Sequence, residues 1–258
     1  MSTSAPAHLQ QKHLGDFVIP VATDRERRSA NVAQFDLAKG TNPMTNSDAE
    51  SAKANAGQLN ALLDLDHPTK AATAQWAREH LTDTELADRD LQCTFWAEGW
   101  RLVAERGLLG GLTSPDYGGR GLPLTTALLE LEGLGLGCRD DGLVFAVTSQ
   151  VLTLGLCLER FGSQAHKSEW LPKLVSGEAF GSFAMSEMES GSDAFSLSTI
   201  ATRTDDGYVL NGEKAWVTMG PLADVFVIFA TINPDAGRWG VTAFCIPCLL
   251  YTSDAADE

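Results

Sequence analysis

The chain has 258 residues, 44% hydrophobic and 21% charged, the balance of a globular protein rather than a disordered or fibrous one. Its 19 Lys and Arg stand against 34 Asp and Glu. The resulting net charge of −15 repels phosphate backbones and anionic bilayers, which argues against nucleic acid and membrane as partners.

Residues 1–47 read as a flexible N-terminal arm without sustained period, closing on Gly40-Thr41-Asn42-Pro43. The opening residues lack the apolar centre of a signal peptide. Arg25, Arg27 and Arg28 alternate with Asp24 and Glu26, unlike a transit peptide. Five cysteines at irregular spacing make no disulfide framework and favour a reducing compartment, so a cytoplasmic protein is expected.

Residues 48–180 carry helical periodicity. Trp96, Trp100 and Val103 share a face, as do Leu124, Leu128 and Leu131. Ser114–Pro123 is a tight loop by its Pro and Gly content. Asp140 or Asp141 is placed to cap the next helix, Leu143 to Phe161, and Gly162 to close it. That helix is apolar almost all round but interrupted by Thr148-Ser149-Gln150, which predicts the centre of a bundle rather than a membrane span. Ser163 should cap a further amphipathic helix bearing Trp170, Leu171, Leu174 and Val175 and ending at Gly177.

Beyond Gly181 the period becomes that of strands: 198–204, 207–210, 213–218, 224–231 and 239–246. Asp206-Gly207 and Asn211-Gly212 are strong turn signals, the second predicting a type I′ hairpin. Residues 181–247 are therefore expected to form a small antiparallel sheet or barrel, and the whole chain an α+β fold with a helical bundle first. Residues 248–258 continue neither pattern and read as a tail that does not belong to the natural protein.

The chemistry concentrates in two pieces. Phe183–Asp193 is a loop where helices give way to strands, with hydroxyls at Ser186, Ser190 and Ser192. Gly191 there lets backbone N–H groups approach a ligand closely. Gly207–Gly220 should place Trp216 and Thr218 on one face of an outgoing strand. An aromatic wall beside hydroxyl donors suits a flat heteroaromatic ring that changes its electron count, and suits a metal poorly. Taken alone, the same residues also fit a satisfied strand edge with a half-buried aromatic. Other signals carry less. Gly133-Leu-Gly-Leu-Gly137 follows a helix, not a strand, which excludes a dinucleotide fingerprint. Cys245-Ile-Pro-Cys248 stands alone, and the histidines at 8, 13, 67, 80 and 166 show no ligand spacing, so no metal ligands are assigned.

Ser186-Glu-Met-Glu-Ser-Gly-Ser-Asp193 followed by Asn211-Gly-Glu-Lys-Ala-Trp-Val-Thr-Met-Gly220 resembles the acyl-CoA dehydrogenase family. That family carries Thr/Ser-Glu-Pro-x-x-Gly-Ser-Asp and Asn-Gly-x-Lys-x-Trp-Ile/Val-Thr-Asn-Gly. Pro115-Asp-Tyr-Gly-Gly-Arg-Gly-Leu122 and the stretch from Phe161 to Glu178 extend the resemblance over about residues 68–247. It implies FAD as cofactor, with Met185 and Ser186 at the pyrimidine side of the flavin and Gly191 in the cofactor loop. By the same resemblance Trp216 packs on the isoalloxazine, Thr218 reaches flavin N5, and Ser192 contacts the CoA part of the substrate. The implied reaction is α,β-dehydrogenation of an acyl-CoA thioester, with an electron-transfer flavoprotein as acceptor and a homo-oligomer as the full-length form. In the family the basic glutamate lies in a C-terminal helical domain, so no catalytic residue is assigned here, and Glu187 matches a structural glutamate. The chain alone is expected to be inactive and to bind FAD weakly or not at all. An acyl-CoA oxidase of the same fold and a non-catalytic fragment are the alternatives. Met188 replaces the family's proline and Met219 its asparagine.

Overall fold

The computed structural model describes residues 19–21, 64, 66–205 and 207–248. Most of the N-terminal arm, residues 48–63 of the region expected as helical, and 249–258 of the tail lie outside the described residues.

Apolar periodicity becomes helix in α1 (Pro68–His80), α2 (Leu86–Leu91), α3 (Ala97–Glu105), α4 (Leu124–Gly137), α5 (Asp141–Phe161) and α6 (Gln164–Ser176). Asp140, not Asp141, caps α5: its Oδ1 accepts the Leu143 N–H at 2.9 Å. Ser163 Oγ accepts the His166 N–H at 3.2 Å to start α6, and Gly177 ends it in the left-handed conformation at φ 74°. The Trp100 indole N–H donates to the Gly177 carbonyl at 3.2 Å, so α3 is tied to the end of α6. Trp100, Val103, Leu131 and Leu134 share one buried cluster with Phe180, the residue that leads into the sheet.

The glycine run 133–137 has a packing role. A Cβ on Gly133 would stand 2.5 Å from the Lys70 carbonyl oxygen, and one on Gly137 2.3 Å from that of Ala74. The missing side chains let α4 lie directly against α1.

Helix α5 departs from the expectation of a bundle centre. Leu143, Ala146, Val147, Val151, Leu154 and Leu158 are buried, while Phe145 on the opposite flank is exposed. Its length and apolar composition would also suit a membrane span. Here Leu154 and Leu158 pack with Trp170 and Leu171 of α6. The helix widens to π geometry over Gln150–Gly155. At that point the buried Gln150 bridges the two halves: its Nε2 donates to the Leu174 carbonyl at 3.0 Å and its Oε1 accepts the Gly181 N–H at 2.8 Å.

Among the described residues, six strands follow the order β1-β4-β3-β5-β2, with β6 on β5: β1 (Ile19–Val21), β2 (Gly181–Ala184), β3 (Ile200–Thr204), β4 (Gly207–Lys214), β5 (Val225–Thr231) and β6 (Val241–Pro247). The sheet is mixed rather than antiparallel. β2 runs parallel to β5 through Gly181↔Val225 to Ala184↔Ile228, and β3 meets β5 in parallel at Ile200↔Thr231. β6 pairs along the whole of β5, so β2 and β3 succeed one another on its other edge. Between them the chain leaves that edge, and the excursion is the serine-rich loop. Alternate residues explain the continuous apolar runs of β5 and β6. Phe226, Ile228, Phe244 and Ile246 enter one cluster, and Val225, Val227, Ala243 and Cys245 the other, against the helices.

Several strand expectations change. Gly181–Ala184, whose last two residues fall in the expected loop Phe183–Asp193, is strand β2, and Ile19–Val21 of the expected arm pairs antiparallel with β4. Asn211-Gly212 makes no hairpin; β4 runs straight through it, with Asn211 opposite Ile200 and Gly212 opposite Val21. Gly212 serves close approach instead, since a Cβ there would meet Thr199 Oγ1 at 2.4 Å. The β3–β4 hairpin closes where Thr204 pairs with Gly207, beside the Asp206-Gly207 signal.

Candidate functional site

The strand expected over 213–218 ends at Lys214, and Trp216 takes φ 59° in a bend. The chain turns where it is stitched to the loop by its backbone and to β2 by a side chain, with no strand ladder to continue. The Ala215 N–H donates to the Ser186 carbonyl at 3.0 Å, and Ser182 Oγ donates to the Thr218 carbonyl at 2.6 Å. Burial still alternates, with Ala215 and Val217 inside and Trp216 outside. Trp216 is 72% exposed, a flat apolar face offered to solvent beside Ser186.

Behind this face lies a buried ion pair. Lys214, 0% exposed, donates from Nζ to Glu187 Oε1 at 2.8 Å and to the Met185 carbonyl at 3.0 Å. Glu187 also accepts from the Ser198 N–H and Oγ at 2.6 Å each, from the Thr199 N–H at 2.9 Å, and from Thr199 Oγ1. Burial opposes ionisation of Glu187, but the bonds from Lys214, Ser198 and Thr199 outweigh it and hold its pKa at about 2. Burial pulls Lys214 down from its usual value, with Glu187 opposing. Backbone bonds between Glu187 and Ser190, at 2.9 and 3.2 Å, fold Met188-Glu189 into a tip.

The hydroxyls of this region divide into two sets. Those of Ser182, Ser190, Ser196, Ser198 and Thr199 are all spent on protein acceptors. Ser190, expected as an exposed hydroxyl, is buried and donates to the Asp193 carbonyl at 2.7 Å. Among the described residues, the side-chain hydroxyls of Ser186, Ser192 and Thr218 have no protein partner. Ser186 and Thr218 are half-buried, whereas Ser192 and Gly191 are exposed, with open space around Gly191. Met185, Ser186, Trp216 and Thr218 are thus brought together by the stitching, while Gly191 and Ser192 sit further along the loop.

The residues that build this frame, Lys214, Ser182 and Thr199, carried no assigned role in the sequence. Period-2 alternation could have found Lys214, because it shares its inward face of β4 with the buried Leu210. Elsewhere, burial pushes the Cys245 thiol up to about 12 and that of Cys157 to about 11, which leaves both inert.

The chain matches the acyl-CoA dehydrogenase N-terminal domain over residues 67–178 and the acyl-CoA dehydrogenase middle domain over residues 182–255. The chain belongs to the acyl-CoA dehydrogenase family. An L-prolyl-[peptidyl-carrier protein] dehydrogenase of Serratia sp. is 37% identical over 64% of this chain and 42% of its own length. The mitochondrial isovaleryl-CoA dehydrogenase of Solanum tuberosum is 35% identical over 71% of this chain and 44% of its own. A solved structure described as PigA with FAD and proline superposes at a TM-score of 0.65 and 32% identity, covering 80% of this chain and 49% of that one. The match thus spans less than half the length of these relatives. The fold gives the family's two sequence departures a physical setting. Met219 sits at φ 62°, a left-handed position that asparagine tolerates and methionine resists. Met188 occupies the second position of the Glu187–Ser190 turn, where proline's fixed φ is suited.

Proposed function

We propose that this chain forms the flavin-facing part of an FAD-dependent oxidoreductase that removes hydrogens from the α and β carbons of an acyl thioester. One observation carries the reading: the exposed indole of Trp216 follows Ala215, whose N–H is bonded to the Ser186 carbonyl, and the half-buried hydroxyls of Ser186 and Thr218 have no partner among the described residues. These residues fit a flavin, since a planar ring needs an apolar wall on one face and fixed donors at its polar edge. FAD bound there would supply a two-electron acceptor. Trp216 would provide the wall, and Ser186 and Thr218 would donate to the edge that gains electron density, held in place beforehand by the frame behind them. Met185 and Gly191 would contribute backbone, and Ser192 would meet the carrier end of the substrate or the cofactor's phosphates.

Glu187 is not the base. Its carboxylate is committed to Lys214, Ser198 and Thr199, and a pKa of about 2 leaves it no affinity for a substrate proton near neutrality. By its resemblance to the family we assign the proton acceptor outside residues 66–248 and propose that the chain alone is inactive. An L-prolyl-[peptidyl-carrier protein] dehydrogenase and an isovaleryl-CoA dehydrogenase among its relatives support both a carrier protein and CoA as thioester carriers. An electron-transfer flavoprotein as acceptor, a homo-oligomeric full-length form and a cytoplasmic location complete the reading. The test is to express the full product of the gene with FAD and offer it acyl thioesters on CoA and on a carrier protein. A product lighter by two hydrogens is expected, with dye reduction indicating a dehydrogenase and peroxide an oxidase. Failure to dehydrogenate any thioester would contradict the reading.

A further inference from the structure

We propose that the buried Glu187–Lys214 pair is a positioning device, clamping the neck of the 185–199 loop to the bend at Trp216 so that Ser186 and Trp216 hold one separation before any ligand arrives. The flavin reading above supplies the ligand's identity; the clamp itself stands on geometry. Lys214 Nζ reaches both residues that flank Ser186, the Met185 carbonyl at 3.0 Å and Glu187 Oε1 at 2.8 Å. Ser186 itself is pinned through its carbonyl by the Ala215 N–H at 3.0 Å. On its other side the Glu187 carboxylate takes the amides of Ser198 and Thr199 at 2.6 and 2.9 Å, where the loop returns to β5. One carboxylate therefore closes a loop in which Gly191 and Ser192 stay exposed.

Stability alone does not call for this arrangement, because a buried ion pair is often no better than well-packed apolar groups. Charged acceptors and donors fix direction, which apolar packing does not. Direction matters here. Trp216, two residues beyond Lys214, holds a backbone conformation at φ 59° that a bulky side chain keeps only where its surroundings over-determine it. No catalytic step is assigned to either member of the pair; they act through Ser186 and Trp216.

The experiment compares wild-type chain with Glu187→Gln by amide hydrogen exchange, by the Trp216 indole resonance and by FAD titration. Exchange at Ser198, Thr199 and Ala215 should accelerate about 10- to 100-fold beyond any change at Val227 and Phe244, the size of one lost charge-assisted hydrogen bond. The indole resonance should shift or broaden, and FAD affinity should fall by a comparable factor. Should Glu187→Gln fail to fold, the double variant Glu187→Gln/Lys214→Met leaves no uncompensated charge and is read in the same way. Exchange that changes only in step with Val227 and Phe244 would show ordinary packing and overturn the proposal. Local acceleration together with a full-length gene product that never binds FAD would uphold the clamp and remove the flavin reading instead.

Discussion

Lys70 and Lys214 are both fully buried, one in the helical half and one in the sheet half, and each has a carboxylate partner at 2.8 Å. The side chain of Glu132, which pairs with Lys70, is 40% exposed, whereas that of Glu187, which pairs with Lys214, is 5% exposed. The first pair therefore drains to the surface across a seam already specified by shape, where Gly133 and Gly137 let α4 touch α1. The second is sealed, and around it the backbone follows no regular ladder. Where glycines and heptad-like spacing can fix a contact, charge is incidental. Where the chain must leave the sheet and present exposed side chains in one arrangement, a buried charge takes over the task.

Breaking the sealed pair should have the largest effect. Lys214→Met leaves Glu187 buried without its cation and should cost ~3–5 kcal/mol in denaturant unfolding, while Glu132→Gln should cost less, because its part-exposed amide oxygen can still accept from Lys70. Equal losses would erase the contrast. Acid should act on the same group. Glu187 has a folded pKa of about 2 against a usual 4.5, so its contribution is present above about pH 4.5 and disappears as pH falls towards 2. Unfolding curves across that interval should lose stability in wild type and change less in Glu187→Gln. Gly137→Ala tests the other seam: its Cβ would meet the Ala74 carbonyl oxygen at 2.3 Å, a fixed backbone atom, for an expected loss of ~1–3 kcal/mol. The smallest effect has the opposite sign. Met219→Asn should raise stability by up to about 1 kcal/mol by relieving the left-handed strain at φ 62°, which a shift in thermal midpoint would register.

These effects also mark what was legible in the chain. Local rules reached the helix caps at Asp140 and Ser163, the left-handed stop at Gly177 and the apolar faces of α3 and α6, because each depends on residues within a turn or two. They failed at Asn211-Gly212. A strong turn signal was overridden there by β3 and β1 pairing on both sides and by Thr199 packing where a side chain would have stood. They failed again at β2, whose parallel partner lies 44 residues downstream for Gly181↔Val225, beyond any local period. The motif residues Ser186, Trp216 and Thr218 were nameable from their types and their resemblance. The frame that sets them was not, since Lys214 and Thr199 meet Glu187, and Ser182 meets Thr218, only through tertiary contacts.

A flavin on the Ser186–Trp216–Thr218 face would be seen in an FAD titration of the chain followed by amide and indole resonances. That readout registers weak binding as readily as tight. Shifts should concentrate at Met185, Ser186, Gly191, Ser192, Trp216 and Thr218 and be lost in Trp216→Ala, whose exposed side chain should leave folding stability within about 0.5 kcal/mol of wild type. Shifts centred elsewhere, such as the groove between Tyr117, Arg120 and Pro172, or shifts that survive Trp216→Ala, would contradict it.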